Sequence, residues 1–319
     1  MSAVDHVAAR RPAHLLAQVP GVAVVLTVLV LAFGFTSPNF VSLGNIANIL
    51  TQSTILLLVA LPMTLIIMTE GLDLSVGAVV TFAGIVLASV ALATGSVFAG
   101  LAAALAVGLA FGLLNGALIA QLGIPPFIAT LGTLGVAQGL SLVVTDGQSI
   151  VGIPRSIELL YSATLLGLPL PVVISALAYG LMHALLYHTR FGTYIFALGG
   201  NREALRFAGV SDRSYLIAVY ALGGLMAGFA ALLMTARMNA AHPTAAIGFE
   251  FDAIAAVAVG GTSFERGDGW LFGTLLGVLA VGVLRNGLNL LAVPSSVQVA
   301  CIGALVIAAM LIDGLRSRS

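Results

Sequence analysis

Long apolar runs broken by short polar punctuation dominate the chain. A helix needs roughly 20 mainly apolar residues to cross a bilayer. Runs of that kind fall at 15–35, 50–69, 76–94, 97–120, 125–145, 169–188, 214–235, 250–262, 270–291 and 295–313. The pattern predicts an all-α, polytopic membrane protein with about ten transmembrane helices, the eighth of them short. Eight or nine spans, with 250–262 re-entrant, is the alternative. Breakers mark the gaps: Ser37-Pro38-Asn39, Gly71 to Asp73, Gly123 with Pro125 and Pro126, Asp146-Gly147, Pro169 with Pro171, His242-Pro243, Gly267 to Gly269, and Pro294. The first run exceeds the roughly 7–15 residue core of a cleaved signal peptide and no Ala-x-Ala site follows it, so it reads as a retained span.

Composition agrees. Hydrophobic residues make up 60% of the chain and charged residues 8%, against roughly 25% charged in soluble domains. Too few charges remain to wet a surface, so lipid is the solvent for most of it. Formal net charge is zero, from 12 basic and 12 acidic residues, which gives no electrostatic case for nucleic-acid binding. The single cysteine, Cys301, lies in an apolar run and reads as a small apolar residue.

Arginine placement orients the spans. With the N-terminus inside and ten crossings, Arg10, Arg11, Arg190, Arg202, Arg206, Arg213, Arg266, Arg316 and Arg318 fall inside, and Arg155, Arg237 and Arg285 outside. This bias favours an N-in, C-in arrangement. The expected organisation is a cytoplasmic arm at 1–14, one transmembrane domain at 15–313 and a cytoplasmic tail at 314–319. Gly108, Gly112 and Gly116, Gly224 and Gly228, and Gly273 and Gly277 recur every four residues. Such stripes predict faces where another helix backbone comes close.

The inside loop 189–213 is the longest strongly charged one. Its centre reads as a short helix: Asn201 can cap it, Glu203 sits in the positive first turn, and Gly209 suits the left-handed residue that ends it. Arg202 and Arg206 share a face, while Leu205 and Phe207 supply apolar knobs. A helix this short needs packing to hold it, against the membrane domain or a cytoplasmic partner. It is either a basic topology loop or a docking helix for a soluble subunit.

Gly199-Gly200-Asn201, followed by Glu203-Ala204, Arg206 and Gly209-Val210, resembles the cytoplasmic coupling loop of the ribose/xylose-type ABC importer permeases. Four more blocks resemble that family in the same order. They are Glu70-Gly-Leu-Asp-Leu-Ser-Val-Gly77, Pro126-Phe-Ile-Ala-Thr-Leu-Gly132, Phe251-Asp-Ala-Ile-Ala-Ala-Val-Ala-Val-Gly-Gly-Thr-Ser263 and Arg285-Asn-Gly-Leu-Asn-Leu-Leu291. After Ser263 the family's glycine-rich stretch is replaced by Phe264-Glu-Arg-Gly-Asp-Gly269, with Arg266 where glycine is usual. The resemblance runs from about Asn39 to Asp313 and implies a multi-pass permease of a bacterial inner membrane. It would carry a monosaccharide, polyol or similar solute and would itself be no enzyme. It further implies a cytoplasmic ABC ATPase, an extracytoplasmic solute-binding protein, and a second permease chain forming a homodimer.

The residues support that division of labour. The chain has no lysine, so it lacks the lysine-bearing P-loop that cradles nucleotide phosphates. ATP would be hydrolysed by a partner docked on 199–210, and no cofactor is expected on this chain. His6, His14, His183, His188 and His242 show no metal-ligand spacing. Glu70, Asp73, Ser75, Asn286 and Asn289 are the candidates for gating or a solute path. The topology sets Glu70 and Asp73 at or near the inside surface, where solvated loop carboxylates or helix caps are the first expectation. An ion-gradient-driven secondary transporter is the competing class, and only those two carboxylates could couple its ion.

Overall fold

A computed structural model of the chain describes residues 11–263 and 267–317 and consists almost wholly of helices. The expected arm up to residue 10, the Phe264-Glu265-Arg266 departure and Arg318 lie outside the described residues. In chain order the helices are α1 (Arg11–Thr36), α2 (Leu43–Met68), α3 (Val76–Thr94), α4 (Val97–Ala120), α5 (Pro126–Thr145), α6 (Arg155–Ser162), α7 (Leu170–His188), α8 (Arg190–Gly200), α9 (Arg202–Phe207), α10 (Asp212–Met238), α11 (Phe249–Val259), α12 (Leu271–Leu290) and α13 (Ser295–Ser317). Strands β1 (Thr164–Leu165) and β2 (Leu168–Pro169) form a small antiparallel hairpin before α7. Among the described residues, seven helices are long and apolar enough to cross a membrane: α2, α3, α4, α5, α7, α10 and α12. Gly21–Thr36 within α1 and Ser295–Ala308 within α13 are shorter apolar stretches. Helix α11 has 11 residues and spans only about 16 Å. The chain is an all-α, polytopic membrane protein.

Helix α2 is the axis of the bundle. Every residue from Ser53 to Met68 is buried, which explains why that stretch is apolar on all sides and shows no amphipathic period. It begins at Leu43, well before the apolar run at 50, because its polar first turns are satisfied within the protein. The Ser42 hydroxyl accepts from the Asn45 amide at 3.2 Å. The Asn45 side chain exchanges two 2.9 Å hydrogen bonds with Asn286 of α12 and donates to the Phe40 carbonyl at 2.8 Å. Lower down, the Thr64 and Thr274 hydroxyls meet at 2.6 Å.

The glycine stripes are helix crossings. Side chains at Gly108 and Gly112 would run into the backbone of Gly224 and Tyr220, so α4 and α10 touch main chain to main chain. Gly273 and Gly277 of α12 lie in the same way against the carbonyls of Gly260 and Ala256, which pins α11 antiparallel along α12. The Trp270 indole donates to the Gly260 carbonyl at 2.8 Å.

These contacts define two ends. At the near end, Gly199 of α8 packs against the Met68 carbonyl and against Gly267. At the far end, Phe33 covers Gly287, and residues 149–150 join residues 241–242. The latter junction comprises a two-way backbone bridge between Ile150 and Ala241 at 2.9 Å and a Ser149 to His242 hydrogen bond. The Gln138 amide adds a 2.8 Å bond to the Pro243 carbonyl.

Replacing Gly108 with leucine should lower the thermal midpoint of the detergent-purified protein by an overpacking cost of about 1–3 kcal/mol or more. Gly132→Ala, whose new methyl meets open space, should leave the midpoint unchanged or slightly raised. Asn45→Leu should destabilise, because the Asn286 amide is left buried without its partner, whereas Asn45→Leu with Asn286→Leu should recover much of the loss. Melting curves of the four variants read this directly.

Candidate functional site

The near end carries the sequence-predicted docking element. Asn201 leaves the helical conformation and its side-chain oxygen accepts from the Ala204 amide at 2.9 Å, capping α9. Glu203 lies exposed in the first turn. Gly209 has φ +77°, the left-handed conformation expected of it, and the Val210 amide returns to the Leu205 carbonyl at 3.2 Å. Gly199 is held where no side chain fits, while Gly200 faces open space. Leu205 is buried with Leu198 and Leu216, so the inner side of α9 is nailed to the ends of α8 and α10. The outer side presents Phe207, 91% exposed.

Sequence reasoning missed Asp212. This first residue of α10 is buried, and its Oδ2 takes the Nη2 of Arg206 at 2.6 Å and the Nε of Arg202 at 3.0 Å. The four-residue spacing of the two arginines was the available signal. A shared face for two cations asks for one anion, and Asp212 is the acid that follows. Their charges are thus half spent inside the loop. Together the two bonds clamp α9 onto the start of α10.

The second group lies within the bundle. Glu70 is exposed, as expected, in a left-handed turn (φ +60°). Asp73 is not solvated: it is 4% exposed. The reason is that α2 ends at Met68 and the chain dips inward before α3 begins. Asp73 Oδ1 accepts from the Ser75 amide at 2.8 Å and the Ser75 hydroxyl at 2.6 Å. Asn115 of α4 donates to that hydroxyl at 2.9 Å, and Thr133 of α5 donates to the Asn115 oxygen at 2.7 Å. Asn115 lies about 7.5 Å along α4 from its end at Ala120. The four side chains therefore form a buried chain across three helices below the near end. Alongside it, the Tyr220 hydroxyl donates to the Leu72 carbonyl at 3.2 Å. Ser75 occupies the N-cap position of α3, yet its side chain makes no capping bond, being used by Asp73 and Asn115.

The remaining candidates are dispersed. Asn286 is occupied by Asn45, and Asn289, at the far end of α12, accepts from Gln298 at 2.8 Å. Neither meets Asp73. Arg285, placed outside by the topology argument, sits within α12, and its Nη2 donates to Asp252 of α11 at 2.5 Å. Glu250, buried at the start of α11, accepts from the Gly248 amide at 3.2 Å and lies against Gly77 of α3. Both of these buried acids escaped the sequence reading. Among the described residues no group of His, Cys, Asp and Glu is placed to hold a metal ion.

Comparison with known proteins returns permeases. The ribose import permease protein RbsC of Escherichia coli (strain K12) is 40% identical over 294 residues, 91% of this chain and 92% of its own length. The D-allose transport system permease protein AlsC of the same strain is 37% identical over 296 residues, 92% of this chain and 91% of its own. The L-arabinose ABC transporter permease protein AraH of Azospirillum brasilense is 32% identical over 296 residues, 93% and 87%. No solved structure matches the chain. The family described as "Branched-chain amino acid transport system / permease component" matches residues 45–310, from the first turn of α2 into α13, and the chain belongs to that family of membrane permeases.

Proposed function

We propose that the chain is the membrane subunit of an ATP-driven, binding-protein-dependent importer for a monosaccharide or a chemically similar polyol. The relatives named for ribose, allose and arabinose support the solute class. The ion-gradient alternative loses ground because relatives are named as ABC transporter permeases. Of the buried acids, Asp252 is paired with Arg285 and Asp73 is engaged by Ser75, while Glu70 is exposed.

The observation that carries the reading is α9. A capped helix has its inner side packed on the bundle, its cations tied back to Asp212 and its one large apolar side chain projecting outward. That is a rigid plug with an uncovered knob, and a groove on a cytoplasmic ATPase is the partner that would cover it. The near end is then cytoplasmic, which gives ten crossings with both termini inside, α11 being a short crossing helped by its flanking segments. A homodimer around a shared path, an extracytoplasmic binding protein at the far end and ATP bound only by the partner complete the assembly. Residues 15–313 act as one permease domain with 189–213 as its coupling loop. In this reading Asp73, Ser75 and Asn286 tie helices together rather than touch solute, since Asp73 Oδ1, the Ser75 hydroxyl and the Asn286 amide are each engaged by a neighbour.

Phe207→Glu should abolish co-purification with the ATPase while leaving the permease in the membrane, because it removes the knob without touching the Asp212 pairs. Unchanged ATPase retention would defeat the docking role. The swap Glu203→Arg with Arg206→Glu should also release the partner, though it breaks an internal bond as well. For Asp73→Asn, whose amide oxygen can still accept from Ser75, uptake of labelled ribose should persist. Its loss in a variant that still assembles would assign Asp73 to the solute path instead.

A further inference from the structure

Arg285 sits five residues before the end of α12 at Leu290, about 7.5 Å along the helix axis. An arginine so placed can extend toward the membrane surface and leave its charge in water. This one turns the other way. The crossing contacts set Gly260 level with Gly273 and Ala256 level with Gly277. One further turn sets Asp252 level with Val281, about 14–15 Å from either end of α12. The guanidinium thus reaches down toward the middle of the bundle to meet a carboxylate at the first turn of the short helix α11. Asp252 is 2% exposed, but the Arg285 side chain remains 38% exposed. Its Nε is buried without a hydrogen-bond partner among the described residues. One of its terminal nitrogens is satisfied, while the exposed part of a permanent cation opens at mid-depth.

A cation half open at that level is not stable against hydrocarbon, and intramembrane ionised groups face protein or a water-filled cavity. We infer that the Asp252–Arg285 pair forms part of the wall of an aqueous solute route entered from the far end, and that Arg285 hydrogen-bonds the hydroxyls of a neutral polyhydroxy solute. The chemistry fits such a solute: Nη1, which makes no hydrogen bond among the described residues, donates to hydroxyl oxygens, and Asp252 keeps the local charge balanced so that no anion is demanded. The inference rests on the importer reading for its solute, but the opening itself can be tested without solute or ATP.

The test uses full-length protein in membranes, with Cys301→Ser as background and Arg285→Cys combined with Asp252→Asn so that no unpaired charge is left behind. A charged, membrane-impermeant thiosulfonate should label position 285 from the far side. Labelling only by a lipid-soluble maleimide would place it against hydrocarbon, and labelling by neither would seal it within protein; either result overturns the inference. Separately, Asp252→Asn with Arg285→Gln should still retain the ATPase but take up labelled D-ribose about tenfold more slowly, the scale of one lost charged contact. Wild-type uptake in an assembling double variant would remove the solute contact even if the thiol reacts. Absence of ATP-dependent ribose uptake by the wild type would count against the proposed solute or energy source, and the thiol result would stand by itself.

Discussion

Lipid hydrocarbon offers no hydrogen bonds, so a polar group carried into the bundle is costly unless it finds its partner inside the protein. The rest of the structure follows from that constraint. Asn45 is answered by Asn286, Thr64 by Thr274, and Asp73 by Ser75, which Asn115 and Thr133 extend across two more helices. Hydrophobic burial gives little reason for one helix to prefer another in such a solvent. Orientation therefore comes from these specific polar meetings and from glycine faces such as Gly108 on Gly224, where main chains touch.

The same constraint explains what could be read from the sequence. Spans are legible because a lipid-facing or fully buried helix must be apolar, and the glycine crossings are legible because only small residues repeat where backbones meet. The short helix at 202–207 was legible from its cap and its terminal glycine, both local features. What escaped was nonlocal. Nothing in the Asp73 neighbourhood announces that Asn115 and Thr133 come to meet it, so a buried acid was expected to be solvated. Arg285 was counted with the outside arginines because its neutralising acid, Asp252, is 33 positions away in sequence. The start of α2 was set too late, since Asn45 reads as a surface residue until Asn286 is placed beside it.

The two polar regions of the bundle differ in kind. The Asp73 chain runs through one carboxylate oxygen, Oδ1, and joins α3, α4 and α5 through Ser75, Asn115 and Thr133. The Asp252–Arg285 pair is open on one side, where the arginine side chain stays 38% exposed. A permease needs both, since a scaffold that does not slip must surround a path along which a solute does.

Asp212 has a mechanical meaning beyond the charge it balances. It is the first residue of a helix of 27 residues, about 40 Å long, that is locked by glycine contacts to α4 along its middle. At its other end that helix runs through Asn239 into the segment bridged to Ile150 and on to the start of α11. A push on α9 that keeps its two arginines bound must shift the root of this rod. The rod is stiff and is held from Ile217 to Thr235 against α4 and α3, so displacing its root loads those two helices as well, and the three move as one body or not at all.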